Sequence, residues 1–281
     1  MNTAKEPETT DFIPASALLA AVEKIAQEAG KDILLPAFIS QSAAESMKED
    51  GSIVTETDQL CQDFLQERLT ALASDIGFLG EEMAEQDQLA CLIQGEQSRF
   101  WCVDPLDGTG NFANPMPLFA ISIALIEHGQ PVLACIYDPV RDEMFSAVAG
   151  QGFYFNGQKK TQAEVGKPLA NCIGFVDFKR LTPALASHVA TQPIYRSQRN
   201  IGTCALEWAW LAVGRAQFIV HGGQKLWDYA AGALLAEESG CVVSDFEGKH
   251  PFATAKMSCS ILAAARQEQH QAWQKHIQAA C

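Results

Sequence analysis

Four short strings gather carboxylates where a reaction could use them. The densest is Trp101-Cys102-Val103-Asp104-Pro105-Leu106-Asp107-Gly108-Thr109-Gly110-Asn111-Phe112; the others are Thr55-Glu56-Thr57-Asp58, Gly80-Glu81-Glu82 and Trp227-Asp228-Tyr229-Ala230-Ala231-Gly232. In the densest string a strand delivers Asp104, Pro105 stops further ladder pairing and Asp107-Gly108 turns the chain. Both carboxylates can then face one point, with the Leu106 carbonyl between them. Oxygen donors of this kind suit Mg²⁺, which takes carboxylates, waters and substrate phosphate. Gly108-Thr109-Gly110 offers backbone N–H groups unobstructed by side chains, a cradle for phosphate beside the metal.

Taken singly, most of these acids have plainer readings. Glu81-Glu82 alone reads as a solvated pair, Asp228 as a helix cap after a packed Trp227, and Asp58 as an N-cap. The long string fits a simple turn less well. Its two acids lie beside apolar Trp101 and Phe112, where like charges repel unless a cation neutralises them.

The elements that must position these groups follow from periodicity. Leu18, Val22, Ile25 and Ala29 recur at helical spacing after Pro14, predicting a helix that ends near Gly30. A second helix is predicted over Asp58–Leu72, preceded by a polar loop at Lys48–Gly51 and an extended Ile53–Thr55, and followed by a short run at Ile76–Leu79. From Phe100 the chain changes to strands bounded by turn residues: Phe100–Val103, Phe119–Glu127, Val132–Tyr137, Glu143–Ala149 and Gly152–Phe155, the last closing on Asn156-Gly157. Beyond Lys160, strands at Cys172–Val176, Phe218–Val220 and Ser260–Ala264 alternate with helices at Thr203–Val213, Asp228–Ser239 and Gln267–Ala279. This mixed order predicts an α+β fold. We expect a lead-in over residues 1–11, an N-terminal lobe over 12–160 carrying most of the acids, and a C-terminal lobe over 161–281.

Composition bounds the partners. The formal net charge is −14, which argues against nucleic acid or an anionic membrane surface as the main partner. The longest largely apolar stretch, Phe119–Ile126, is far short of the ~18 residues that span a bilayer. Nine scattered Cys, without a C-x-x-C pair, read as reduced thiols, and a cytoplasmic location is expected. His270 and His276 are six apart on the last helix and do not share a face for a metal; Trp208 and Trp210 read as core or interface, and Asp138-Pro139 as a turn.

D-P-L-D-G-T-G-N-F resembles the first signature of the inositol monophosphatase superfamily, and W-D-Y-A-A-G-A-L-L-A-E-E-S-G resembles its second; G-E-E and T-E-T-D lie in the matching order. The resemblance implies a layered αβαβα sandwich, dependence on two or three Mg²⁺ ions, lithium sensitivity and a homodimer. It also implies roles for residues of this chain. Glu81, Asp104, Asp107, Asp228 and the Leu106 carbonyl resemble the metal ligands, with Asp104 shared between ions, Glu81 on one side and Asp107 with Asp228 on the other. Gly108 and Thr109 resemble the phosphate-holding pair, and Thr109 would orient the attacking water through Asp58, so that Asp58, Thr109 and Glu81 form the catalytic set. The implied reaction is metal-assisted hydrolysis of a phosphate monoester without a covalent phosphoenzyme.

The ester itself is less legible. Arg199–Leu206 resembles the substrate wall, with Gly202, Thr203 and Cys204 at its lining positions. Inositol-specific relatives usually carry a Glu seven residues before the motif Asp, where this chain has His221, followed by Gly222-Gly223-Gln224-Lys225. A His and a Lys at the mouth suit a second anionic group; an exposed loop His is the alternative reading. A small polyol, sugar or amino-alcohol phosphate is the expected substrate, with a 3′-phosphoadenosine nucleotide, or a non-catalytic docking role on the same fold, as alternatives.

Overall fold

The computed structural model describes residues 13–40, 45–47, 53–95, 99–161, 167–254 and 256–280. The expected lead-in over residues 1–11 and the polar loop at 48–51 lie outside the described residues. In chain order the elements are α1 (Ala15–Ala29), α2 (Leu35–Ser40), β1 (Glu45–Met47), β2 (Ile53–Thr55), α3 (Glu56–Leu72), β3 (Gly77–Gly80), α4 (Glu85–Gly95), β4 (Arg99–Asp107), α5 (Thr109–Ala113), β5 (Ala120–Glu127), β6 (Gln130–Asp138), β7 (Glu143–Val148), β8 (Gly152–Phe155) and β9 (Gln158–Lys160). There follow β10 (Ile173–Asp177), α6 (Pro183–Thr191), β11 (Ser197–Arg199), α7 (Cys204–Ala212), β12 (Phe218–Lys225), α8 (Leu226–Ser239), β13 (Val242–Ser244), β14 (Ser258–Ala264) and α9 (Gln267–Gln278).

The seven-stranded sheet runs β3-β4-β5-β6-β7-β8-β9 and is antiparallel except for the β3–β4 pair. The five-stranded sheet runs β11-β10-β12-β14-β13, with its first three strands parallel. Helices α1 and α3 cover the outer face of the large sheet, α7 and α8 fill the space between the sheets, and α6 with α9 covers the outer face of the small one. This is the expected αβαβα sandwich.

Side-chain alternation explains the layering. Along β4 and β5, Phe100, Cys102, Ala120 and Ala124 join the inner core, while Trp101, Val103, Ile121, Ile123 and Leu125 join the core under α1 and α3. Both faces are covered, so these strands read as nearly continuous apolar runs. The inward positions are mostly small, and the Ala-rich α8 lies directly on them.

The structure differs from the sequence reading in several places. Strand β4 does not stop at Pro105 but continues to Asp107 through a bulge. Gly30 does not end the helical path: its Cα packs so close to Tyr137 that a Cβ would come within 2.6 Å of the ring, and the chain runs on through a π turn into α2. Helices α2, α4, α5 and α6 and strands β1, β9, β11 and β13 were not predicted.

Candidate active site

The site forms where β4, α5, α7 and α8 meet between the sheets. On β4, Asp104 pairs with Ser122 and Asp107 with Ala120, so three steps on one strand oppose two on the other. In a regular strand, residues three apart point to opposite faces; the extra residue lets Asp104 and Asp107 aim the same way. Pro105 lies inside this bulge, where its missing N–H costs no ladder bond. Asp104 Oδ1 accepts from the Leu106 N–H at 3.0 Å, which fixes the first carboxylate against its own loop.

The third carboxylate arrives from α8. Ser122, opposite Asp104, donates its hydroxyl to the Trp227 carbonyl at 3.2 Å, pinning the first turn of α8 to β5. Asp228 accepts from the Lys225 N–H at 2.8 Å, so it also caps the helix. Ligand oxygens of Asp104, Asp107 and Asp228 all lie within 4.8 Å of one another.

Asp107 is held from the far side. The Thr203 hydroxyl, N-capping α7, and the Ala205 N–H, at 2.6 Å, both donate to its Oδ2. Gly108 follows in the left-handed region at φ 97°, and an added Cβ would come within 2.9 Å of the Leu118 carbonyl oxygen and 3.2 Å of Thr203. Glycine is required there by conformation and by space. Thr109 opens α5 and donates its hydroxyl to the Leu106 carbonyl at 3.1 Å. Asn111 ties the loops together, donating to the carbonyls of Leu118 and Ile201 at 2.8 and 2.7 Å and so bringing Gly202 onto α5.

Glu81 lies just beyond β3, its N–H donating to the Val103 carbonyl at 3.1 Å and its carbonyl accepting from Gln88 of α4 at 2.9 Å. It is outside the tight trio, yet its charge raises the pKa of both Asp104 and Asp228. Asp58, in the first turn of α3, is buried and likewise pushes Asp104 up. Burial is the first cause of the upward shift in all three of Asp104, Asp107 and Asp228, and their mutual repulsion adds to it for Asp104 and Asp228. At Asp107 the donors of Thr203, Ala205 and Cys204 work against burial. An all-oxygen donor set, two of its carboxylates buried and the third half-buried, and self-repelling, fits a hard divalent cation such as Mg²⁺. The Cys204 thiol beside it is pushed up by burial and by Asp228 and Asp107, so it stays protonated.

His221 is neither exposed nor in a loop: it is buried on β12, next to a bulge. Its Nδ1 accepts from the Gly223 N–H at 3.1 Å, and its Nε2 faces Asp177 Oδ2 at 3.4 Å. Asp177 ends β10, directly across from His221, and was not singled out from the sequence. Glu207 was also missed. It is a buried acid on α7 that accepts from the Ile201 N–H at 3.4 Å, and burial raises its pKa well above the usual carboxylate range. A lone acid in the apolar stripe Ala205–Ala212 was the available signal.

Residues 15–280 match the model of the inositol monophosphatase family. The chain is 34% identical over 247 residues to an inositol-1-monophosphatase of Mesorhizobium japonicum, covering 83% of this chain and 87% of that protein. It is 31% identical over 239 residues to the Nus factor SuhB of Escherichia coli K12, covering 82% and 85%. The crystal structure of the extragenic suppressor protein suhB from Bartonella henselae superposes with a TM-score of 0.78 at 28% identity, covering 92% of this chain and 97% of that one. With the carboxylate trio brought together beside the Gly108-Thr109 turn, the chain belongs to the inositol monophosphatase family, whose members are Mg²⁺-dependent.

Proposed function

We propose that the protein is a phosphomonoesterase that hydrolyses a small polyol, sugar or amino-alcohol phosphate. The observation that carries this reading is the convergence of Asp104, Asp107 and Asp228 within 4.8 Å, directly before the Gly108-Thr109 turn. Asp104, Asp107, Asp228, Glu81 and the Leu106 carbonyl would hold two or three Mg²⁺ ions. Bound Mg²⁺ supplies an acidified water at neutral pH and charge compensation for the departing alkoxide.

The chain's own groups do the rest. The N–H groups at Gly108 and Thr109 receive phosphate oxygens, and Thr109 with Asp58 orients the water. The second oxygen of Asp107 is already committed to Thr203 and Ala205, so only one faces the ligand.

The test is phosphate release from inositol, histidinol, fructose and phosphoadenosine esters, with Mg²⁺ and with EDTA. Mg²⁺-dependent turnover of one ester above the rest, lost in Asp104→Asn and Asp228→Asn, is the expected result. Full activity in either variant overturns the reading. The name Nus factor carried by relatives at 31% identity favours a second reading, a docking role. That role is supported if Asp104→Asn abolishes hydrolysis but still complements loss of the gene.

A further inference from the structure

The parallel strands β11, β10 and β12 end at one edge of the small sheet, and that edge feeds the site. Arg199 ends β11 four residues before Thr203, Asp177 ends β10, and Lys225 ends β12 three residues before Asp228. The residues displayed there divide into two kinds. The acid and the histidine are used internally: His221 takes the Gly223 N–H on Nδ1 and faces Asp177 with Nε2, while Asp177 Oδ1 accepts from the Lys179 N–H at 3.0 Å. The cations Lys179, Arg180, Arg199 and Lys225 are exposed.

Among them Arg180 has a closely packed backbone. Its carbonyl oxygen would lie 1.8 Å from a Cβ added at Gly222, so the backbone turn Phe178–Arg180 rests directly on β12, one residue beyond His221. Only glycine at 222 permits that approach. The turn is thus anchored twice, through Asp177–His221 and through Gly222–Arg180. Yet the guanidinium itself makes no hydrogen bond or ion pair among the described residues. Because β12 runs from Gly222 through Lys225 straight into the first turn of α8, the turn that carries Arg180 stands beside the approach to Asp228. The Arg180 charge opposes, without overcoming, the upward shift of Asp228 and adds to the downward shift of Asp177. On a chain of net charge −14, an anchored cation with an unspent planar fork at the mouth is a local exception.

We propose that Arg180 makes this site prefer phosphate esters whose alcohol portion carries a second anionic group, a carboxylate or another phosphate. Asp177 and His221 act as positioning residues that hold the turn. The inference rests on the phosphomonoesterase reading and narrows it: a neutral polyol phosphate leaves Arg180 unused, whereas a second anion meets it.

Glycerol 2-phosphate and 2-phosphoglycerate test this as a matched pair, because they share skeleton and ester position and differ in one hydroxymethyl group against one carboxylate. Wild type is expected to favour 2-phosphoglycerate through a lower KM. Arg180→Ala should cost about tenfold in kcat/KM on that ester, through KM, and leave glycerol 2-phosphate within about twofold. Arg180→Lys should recover part of the loss. Equal effects on both esters, or no effect on either, overturn the proposal. Calorimetric binding of the same two esters to wild type and Arg180→Ala separates the two readings. If no phosphate is released from any ester, hydrolysis falls, but tighter binding of the carboxylate ester that Arg180→Ala removes still supports the role of Arg180. Equal affinities in that assay sink it independently.

Discussion

The hydroxyl of Thr203 donates to Oδ2 of Asp107, joining residues 96 apart in the chain. One end is the last residue of β4 in the large sheet; the other is the N-cap of α7, which enters from the small sheet. One hydroxyl therefore caps a helix, orients a carboxylate of the acidic trio and joins two layers of the sandwich.

Thr203→Val keeps the shape and removes the hydroxyl. Loss of the cap costs about 1 kcal/mol, and loss of a bond to a charged acceptor a further ~1.5–3 kcal/mol. Thermal melts should show a clear fall, and kcat should drop further than KM rises because Asp107 is left with only backbone donors. Thr203→Ser should restore both; a Ser variant as impaired as Val would show that shape, not the hydroxyl, matters.

Removing a charge from the trio should stabilise the protein when no ion is present. Asp104, Asp107 and Asp228 repel one another in a buried site, so Asp228→Asn is expected to melt higher than wild type in EDTA. Added Mg²⁺ should raise the wild-type melting temperature and move the variant far less. Identical Mg²⁺ responses would remove Asp228 from the ligand set.

Asn111 is buried and donates to two carbonyls, those of Leu118 and Ile201, which come from two separate loops. Asn111→Leu leaves both carbonyls without that donor, at a cost of about 1–3 kcal/mol each. It should also raise KM by releasing the Ile201–Gly202 segment. A destabilised variant with unchanged KM would limit Asn111 to a structural role.

His270 is buried, with Nε2 against the Ser244 hydroxyl at 2.8 Å, and burial lowers its pKa. His276, tilted against His188 with ring centroids 4.2 Å apart, is lowered as well, by burial first and then by His188. A His whose folded pKa is depressed binds protons more readily when unfolded, so stability is full above about pH 6.5 and falls as pH drops below it. His250 works the other way: the bond to Glu237 raises its pKa, and its contribution fades as pH rises past 6.5. Melting temperature measured from pH 5 to 8 should show the acid-side loss, and His270→Asn should flatten it. An unchanged acid-side slope in that variant would rule His270 out as its source.

The acidic cluster and the family were legible because the acids sit in short strings whose residue types survive any detail of folding. Asp104, Asp107 and Asp228 could be matched without knowing where β5 lies. The bulge that aims Asp104 and Asp107 together could not, because it exists only against the Ser122–Ala120 partner positions. Asp177 and Asn111 were missed for the same reason: what marks them is a neighbour far along the chain. Glu207 had a local signal, a lone acid in the apolar stripe of α7, that went unused. Helix α6 was readable, since Thr182-Pro183 is a cap followed by proline at the first turn. Helix α4 was not, because its Leu89 and Ile93 face outward and blur the apolar stripe.

Helix α8 packs against strands of both sheets and against α7, and nearly every side chain from Leu226 to Ala236 is buried. Its backbone amides can meet solvent only when both layers separate, so amide exchange along α8 should report global rather than local opening. Asp228 rides in its first turn. Fraying at a loop or terminus cannot carry this carboxylate away, and heat or denaturant should abolish the acidic cluster in a single cooperative step with no half-assembled form along the way.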